Sequence, residues 1–201
     1  MAGYAGLEGT RRLWEARREE LLARFPSFFL RTLEEEEADI EAWRRAHPWR
    51  TVRAEKAAGT ARPEEPWPDK NALFTAWEQA GEGGIFTALW NFSGVYGAGI
   101  DVDMQRIPMR QVTVEICELY GLNPYRLLCA DCFLFAAQGG LRLAESLREA
   151  GIEAALIGSI TEGTARQIRS GEEKNGYLER PRTDEWVRFC QSGGRPQTNG
   201  G

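Results

Sequence analysis

The chain has 201 residues, of which 42% are hydrophobic and 27% charged, and its formal net charge is -5. This composition predicts a globular protein with one substantial core and gives no support for a nucleic-acid partner, which would require a basic surface. No apolar run reaches the roughly 20 residues that span a bilayer, and the first residues lack the features of a secretion signal. We therefore expect a cytoplasmic protein without a membrane partner, whose four cysteines are thiols.

Two helices are predicted at the N-terminus. Gly9-Thr10 predicts a helix start at which the Thr10 hydroxyl caps free backbone N–H groups, and Pro26 ends this helix. Its inward stripe comprises Leu13, Trp14, Leu21, Leu22 and Phe25. Ser27 predicts the start of a second helix, with Phe29, Leu33, Ile40 and Trp43 inward. Residues 1–46 are thus predicted to form a helical extension.

Helical periodicity disappears between His47 and Asp69. Four prolines and Gly59 predict a linker or long surface loop over residues 47–70. The single histidine, His47, lies at a predicted helix end, where it favours a partner of the helix C-terminus over a general base. We expect a folded domain at residues 71–190 and a disordered tail at 191–201, which is rich in Gly, Pro, Asn and Ser.

Helices and strands alternate in the first half of this domain. Gly83-Gly84 begins a nearly all-apolar helix that should be buried. Gly97-Ala98-Gly99 leads into a short strand, Ile100–Asp103. Pro108 fits the first turn of the next helix, which Gly121 ends.

The second half continues the alternation. Residues 132–137 predict a buried strand, a helix lined by Leu143 and Leu147 ends at Gly151, and residues 152–160 favour a strand. Residues 166–169 and 177–180 predict a hairpin whose turn is Asn175-Gly176. Because some neighbouring strands join by tight hairpins, the pattern predicts an α+β fold, with a mixed, largely antiparallel sheet and packed helices.

An ordered set of motifs in the second half resembles a known family. The motifs are Glu82-Gly83-Gly84-Ile85, Ile107-Pro108-Met109-Arg110, Gly121-Leu122-Asn123-Pro124-Tyr125 and Ile157-Gly158-Ser159-Ile160-Thr161-Glu162-Gly163. They resemble the C-terminal half of the aminoimidazole-ribonucleotide (AIR) synthase-related superfamily, in particular its hydrogenase-maturation, HypE-type branch. The front motif, Gly3–Thr10, resembles the end of the family's N-terminal, ATP-binding half, and the rest of that half is not found in this sequence.

The resemblance implies a fold, a ligand region and a chemistry. It implies an α/β sandwich, a tendency to dimerise or bind a protein partner, and a nucleotide-like ligand held near the glycine motifs. The implied ligand-binding residues are Gly6, Gly9, Thr10, Glu82, Gly83, Gly84 and Arg110. Family enzymes phosphorylate a substrate with ATP and Mg²⁺, so we expect ATP and magnesium here only if a partner supplies the N-terminal domain.

The glycine pair also has a structural interpretation. Glycines at a helix start let an anion approach backbone N–H groups, but close packing of helix on sheet also requires small residues. Where the family has Asp-x-Thr-x-Gly-Gly, this chain has Gln79 and Gly81 before the glycines, so the site looks degraded.

One pair of aspartates and one pair of cysteines are candidate metal ligands. Asp101 and Asp103 would share one strand face and could hold a metal, although a solvated strand edge is the alternative. Cys129 and Cys132 form a Cys-x-x-Cys pair that could be half a zinc site or a redox couple, although two buried thiols are the simpler interpretation. Cys190 resembles the terminal cysteine of HypE-type proteins only loosely, because 11 residues follow it.

Three functional hypotheses follow. The first is an AIR synthase-related maturation factor that is non-catalytic or one subunit of a split protein, and that binds a partner or nucleotide-like ligand. The second is one half of a two-chain ATP-dependent synthase or kinase. The third is a small metal or thiol protein centred on Cys129 and Cys132.

Overall fold

The structure is a computed structural model that describes residues 1–33, 74–170 and 173–194, without the side chains of residues 173–175. The chain divides into two compact units, Met1–Ala16 with Ala72–Gly201, and Arg17–Asn71. The expectations for Ile40, Trp43, His47, the 47–70 linker and most of the C-terminal tail lie outside the described residues.

The described part of the second unit is helical. Helix α2 spans Arg18–Arg24, and residues 27–33 form a further helical segment, so the predicted break at Pro26 is confirmed. The single helix predicted before Pro26 is wrong, because a turn at Arg17 separates α2 from the helix that ends at Ala16. Leu21, Leu30 and Leu33 are buried. Leu22 was predicted to face inward but is 46% exposed, so that prediction is wrong.

The first unit begins with a short extended segment and a helix. Ala2 bridges to both Phe133 and Ala154, which ties the segment to two distant parts of the domain. Helix α1 then spans Leu7–Ala16. The Thr10 capping prediction is wrong, because Thr10 lies inside this helix and its hydroxyl donates to the Gly6 carbonyl at 2.8 Å.

Four more α-helices are found among the described residues of this unit. They are α3 (Gly84–Tyr96), α4 (Gln111–Tyr120), α5 (Gly140–Glu149) and α6 (Glu185–Gln191). As predicted, α3 is largely buried and Gly121 ends α4. Pro108 does not lie in the first turn of α4, because the helix begins three residues later and the Pro108 carbonyl accepts a hydrogen bond from the Ala5 N–H at 2.8 Å.

The strands form two sheets. β1 (Ala76–Gln79) pairs antiparallel with β3 (Phe133–Ala136). The second sheet has the order β4-β2-β5-β6, formed by Gly158–Thr161, Gly99–Asp103, Arg166–Ser170 and Glu173–Tyr177. In it β2 and β5 are parallel and the other two pairs antiparallel, which confirms the predicted α+β fold with a mixed, mostly antiparallel sheet.

The predicted hairpin is confirmed, but its turn is misplaced. Strands β5 and β6 pair directly, and Asn175-Gly176 lies within β6, opposite a register shift between Ile168 and Arg169. An Asn-Gly pair suits a bulged strand as well as a turn, because its glycine adopts backbone angles that other residues avoid.

The core lies between α3 and the sheets. Buried apolar side chains come from α3, β2, β3 and the loops beside them, including Ile85, Leu89, Ile100, Val102 and Leu134. Burial of these side chains is the main force that holds α3 against the strands. Among the described helices, none is long and apolar enough to cross a bilayer.

Candidate functional site

The first turn of α3 has the backbone geometry that the glycine pair predicts. Gly83 and Gly84 have φ angles of 77° and 66°, in the left-handed region that favours glycine. A Cβ on Gly84 would lie 2.5 Å from the Tyr125 carbonyl oxygen and 2.8 Å from that of Leu127. Gly84 is therefore explained by close packing of α3 on residues 125–127, without a ligand.

Gly83 differs, because its N–H is bonded to a carboxylate. The Gly83 N–H donates to Asp184 Oδ2 at 2.6 Å, and the Trp186 N–H donates to Asp184 Oδ1 at 2.7 Å. Asp184 is only 2% exposed and caps α6. An anion thus lies at the start of α3, where free N–H groups and the helix dipole favour one.

The Asp184 carboxylate is held at an energetic cost. Burial raises its pKa above the ordinary value, because the charged form loses hydration. Hydrogen bonds from the backbone N–H groups of Gly83, Trp186 and Leu128 offset part of that rise, whereas the negative charge of Glu82 adds to it. The groups that stabilise this anion are therefore backbone N–H groups.

Two buried polar atoms beside this turn have no hydrogen-bond partner among the described residues. They are Thr87 Oγ1 and Arg126 Nη1. Thr87 directly faces Gly83, because a Cβ on Gly83 would collide with the Thr87 hydroxyl. Such unsatisfied groups are rare in folded proteins, since each one costs free energy when it is removed from water.

Arg126 places a buried guanidinium next to α3. The residue is 6% exposed, and its guanidinium carbon lies 5.3 Å from the ring centroid of Phe86, in the first turn of the helix. Its Nη2 donates to Glu179 Oε2 at 3.0 Å. The first turn of α3 therefore has a helix N-terminus, the Thr87 hydroxyl and, against the ring of Phe86, a guanidinium. All three are groups that bind phosphoryl oxygens.

The other predicted ligand residues are placed differently. Gly6 and Gly9 pack against residues 124–127, and the Thr10 hydroxyl is fully buried between Gly6 and Thr113. These positions meet the same segment as Gly84, but their surfaces are covered by protein atoms. The role of Gly6, Gly9 and Thr10 in ligand binding stays a prediction, and the same holds for Arg110 and Glu82.

Arg110 and Glu82 have different surroundings. The Arg110 guanidinium carbon lies 4.0 Å from the ring centroid of Tyr4, a cation–π arrangement that ties the N-terminal segment to the start of α4. Glu82 is exposed beside the Gly83 turn. Of the predicted set, the structure therefore brings Glu82, Gly83 and Gly84 together with Arg126 and Asp184.

The candidate metal carboxylates are bound by an arginine. Asp101 Oδ1 accepts from Arg169 Nε at 3.0 Å, and Asp103 Oδ2 accepts from Arg169 Nη1 at 3.3 Å. They lie on β2, which is an inner strand, so the strand-edge interpretation is wrong. Two carboxylates paired with one guanidinium do not fit a magnesium site, which needs carboxylate oxygens for itself.

The Cys-x-x-Cys pair is buried in the core. Cys129 and Cys132 are 1% and 0% exposed, and the Cys129 thiol donates to the Tyr4 carbonyl at 3.4 Å. Burial, and then the adjacent Cys129, raises the pKa of Cys132 well above its ordinary value, which favours the thiol over the thiolate that binds metal. No group of three or more metal-ligating residues is found among the described residues.

Asp184, Arg126 and Thr87 were not among the residues predicted from sequence. Asp184 precedes a helix as a capping residue, which is visible in the sequence, but its contact with Gly83 spans 101 positions. Arg126 follows the Gly121–Tyr125 motif directly, and that proximity was the one available indication.

Comparisons with known proteins give structural matches alone. No protein-family model matches the chain, and neither does any curated protein. The E. coli hydrogenase maturation protein HypE matches at 22% identity and a TM-score of 0.53, over 60% of this chain and 39% of HypE. A HypE structure in complex with ATP matches at 15% identity and a TM-score of 0.50, over 59% of this chain and 39% of that one.

A third match covers more of the chain. Thiamine-monophosphate kinase from Stenotrophomonas maltophilia K279a matches at 16% identity and a TM-score of 0.51, over 89% of this chain and 49% of the kinase. The chain thus spans less than half the length of each of these proteins. At these identities the matches show the fold, and over part of its length this chain has the fold of the AIR synthase-related superfamily, as its motifs predicted.

Proposed function

We propose that this chain is a cytoplasmic, maturation-factor-like member of the AIR synthase-related group, of the bacterial HypE type, that binds a nucleotide-like ligand by its phosphoryl end. The binding groups are the Gly83 N–H, the Thr87 hydroxyl and the Arg126 guanidinium, with Gly84 allowing the helix to start there. One observation carries the proposal: Gly83 already binds a buried anion, beside two polar atoms that lack partners.

The chain is proposed to bind its ligand without catalysing phosphoryl transfer by itself. Phosphoryl transfer needs magnesium held by carboxylates. The acidic pair that the sequence analysis identified, Asp101 and Asp103, is engaged by Arg169. Catalysis would then require carboxylates from another domain or from a different protein. We also propose that the chain associates with a protein partner or with a second copy of itself.

Isothermal titration of the full chain with ATP and Mg²⁺ tests this function. We expect binding that weakens about tenfold or more in Arg126→Gln, since a charge-assisted hydrogen bond is lost, and no release of ADP. Arg142→Gln, an exposed arginine on α5, is the matched control and should bind as the wild type does. Tight binding with hydrolysis by the lone chain would contradict the non-catalytic role.

A second candidate function is one half of a two-chain ATP-dependent synthase or kinase. The observation that favours it is the coverage, because the chain spans 39% of HypE and 49% of the kinase. Co-purification from the native cell should then recover a separate polypeptide with an acidic, ATP-binding domain. Elemental analysis tests the third hypothesis, a metal or thiol protein centred on Cys129 and Cys132. Stoichiometric zinc or iron would support it.

A further inference from the structure

The loop between β6 and α6 contains two carboxylates, and each accepts a hydrogen bond from a donor of the proposed site. Glu179 accepts from Arg126 at 3.0 Å, and Asp184 accepts from the Gly83 N–H at 2.6 Å. These two acids belong to one loop, residues 178–184, whose intervening residues 180–183 are exposed. A single short segment therefore occupies the donors that a phosphoryl group would use.

The loop is held at each end by other contacts. At its start Leu178 is buried, and its N–H donates to the Arg166 carbonyl at 2.7 Å. Beyond its end Phe189 of α6 packs edge-on against Tyr120 at 5.1 Å between ring centroids. The loop is thus fixed on either side of its two carboxylates, and residues 180–183 between them are exposed.

The two carboxylates differ in how firmly they bind. The Glu179 side chain is 58% exposed and also pairs with Arg182, so water and salt screen its contact with Arg126. Asp184 is buried, and burial raises its pKa, so its ionised form is not fully stabilised. A phosphoryl group brings more charge and more acceptor oxygens than either carboxylate.

We propose that the 178–184 loop is an intramolecular competitor of the ligand: Glu179 and Asp184 hold Arg126 and Gly83 in the free chain, and both release them when a phosphoryl group binds. This inference rests on the proposed function. Ligand binding and loop opening are then coupled, so that loop mobility reports occupancy of the site.

Titration of loop variants with ATP and Mg²⁺ tests the competition. We expect Glu179→Gln to bind about threefold more tightly than the wild type, because a screened ion pair is lost. The double variant E179Q/D184N should bind about tenfold more tightly or better. Glu149→Gln, an exposed acid on α5, is the matched control and should leave affinity unchanged.

Hydrogen exchange of the full chain provides a second readout. ATP should speed exchange at residues 178–184 of the wild type, since the loop leaves α3. If the wild type binds ATP and R126Q weakens binding, while E179Q binds equally well and ATP slows or does not alter loop exchange, the competitor proposal is overturned and the proposed function stands. If neither the wild type nor the loop variants bind ATP, both proposals fail. If the double variant does not fold, the ATP affinity of E179Q and the hydrogen exchange of residues 178–184 in the wild type test the competitor proposal.

Discussion

Two of the described helices begin with a glycine pair, and the two starts have different surroundings. At α3 the pair Gly83-Gly84 is buried, and its first N–H binds the Asp184 carboxylate. At α5 the pair Gly139-Gly140 lines a cavity of about 560 Å³ with largely apolar walls, which include Leu141 and Leu156. The dipeptide therefore does not determine anion binding, which depends on the groups that the fold brings to the helix start.

The backbone shows the same contrast. Gly84 has a φ of 66°, and a Cβ there would collide with backbone carbonyl groups. Gly139 has a φ of -112°. A Cβ on Gly140 would meet only the end of the Leu156 side chain, at 3.0 Å. The α3 start needs glycine for conformation and packing. The α5 start tolerates a side chain, because a flexible leucine end can shift.

The largest expected effect follows from this contrast. Gly84→Ala should lower the free energy of unfolding by about 3 kcal/mol or more, because it adds backbone strain and a collision with the Tyr125 and Leu127 carbonyls. Gly140→Ala is the matched control and should change it by less than about 1 kcal/mol. Urea unfolding of both variants measures the difference, and equal losses would show that the two starts do not differ in this way.

The next effect concerns the anion at α3. Asp184→Asn should lower the free energy of unfolding by about 2 kcal/mol, because the amide NH₂ presents a donor where an N–H donor already points. Glu82→Gln, which changes an exposed acid beside the same turn, should be neutral or slightly stabilising. A D184N variant as stable as the wild type would mean that the Gly83–Asp184 bond contributes little.

The pH dependence of that difference has a definite sign. The pKa of Asp184 is raised in the folded chain, so the folded state binds the proton more tightly than the unfolded state. The stability of the wild type relative to D184N should therefore fall as pH rises above the ordinary value of 3.8, through the raised pKa. Urea unfolding of the two proteins in a pH series from about 4 to 7 measures it, and an opposite slope would refute the raised pKa.

A smaller effect, the reactivity of Cys117, reports whether α6 stays packed beside this cysteine. Burial, and then the charge of Glu185 on α6, raises the pKa of Cys117 to about 12, whereas Cys190 on α6 is exposed. A thiol reagent at neutral pH should label Cys190 quickly and Cys117 only slowly. Cys190→Ser removes the fast phase as a control. Rapid labelling of Cys117 in the folded protein would show that α6 opens without ligand.

The sequence allowed the fold to be predicted better than the site. A nearly all-apolar run after Gly83-Gly84 located α3, and the glycines at 97, 99 and 121 marked where elements begin or end. Local patterns failed where a longer contact decided: Pro108 is held by Ala5, and Thr10 is turned inward toward Thr113. The Gly83–Asp184 and Arg126–Glu179 contacts join distant positions, so no local pattern could have indicated them.

The most direct test of the central claim is to follow backbone amide resonances of the full chain during titration with ATP and Mg²⁺. We predict that the Gly83 amide shifts with saturation while the Gly140 amide does not, since the binding groups surround α3 and not α5. A shift at Gly140 with Gly83 unmoved, or saturation of binding that leaves Gly83 still bonded to Asp184, would contradict the account.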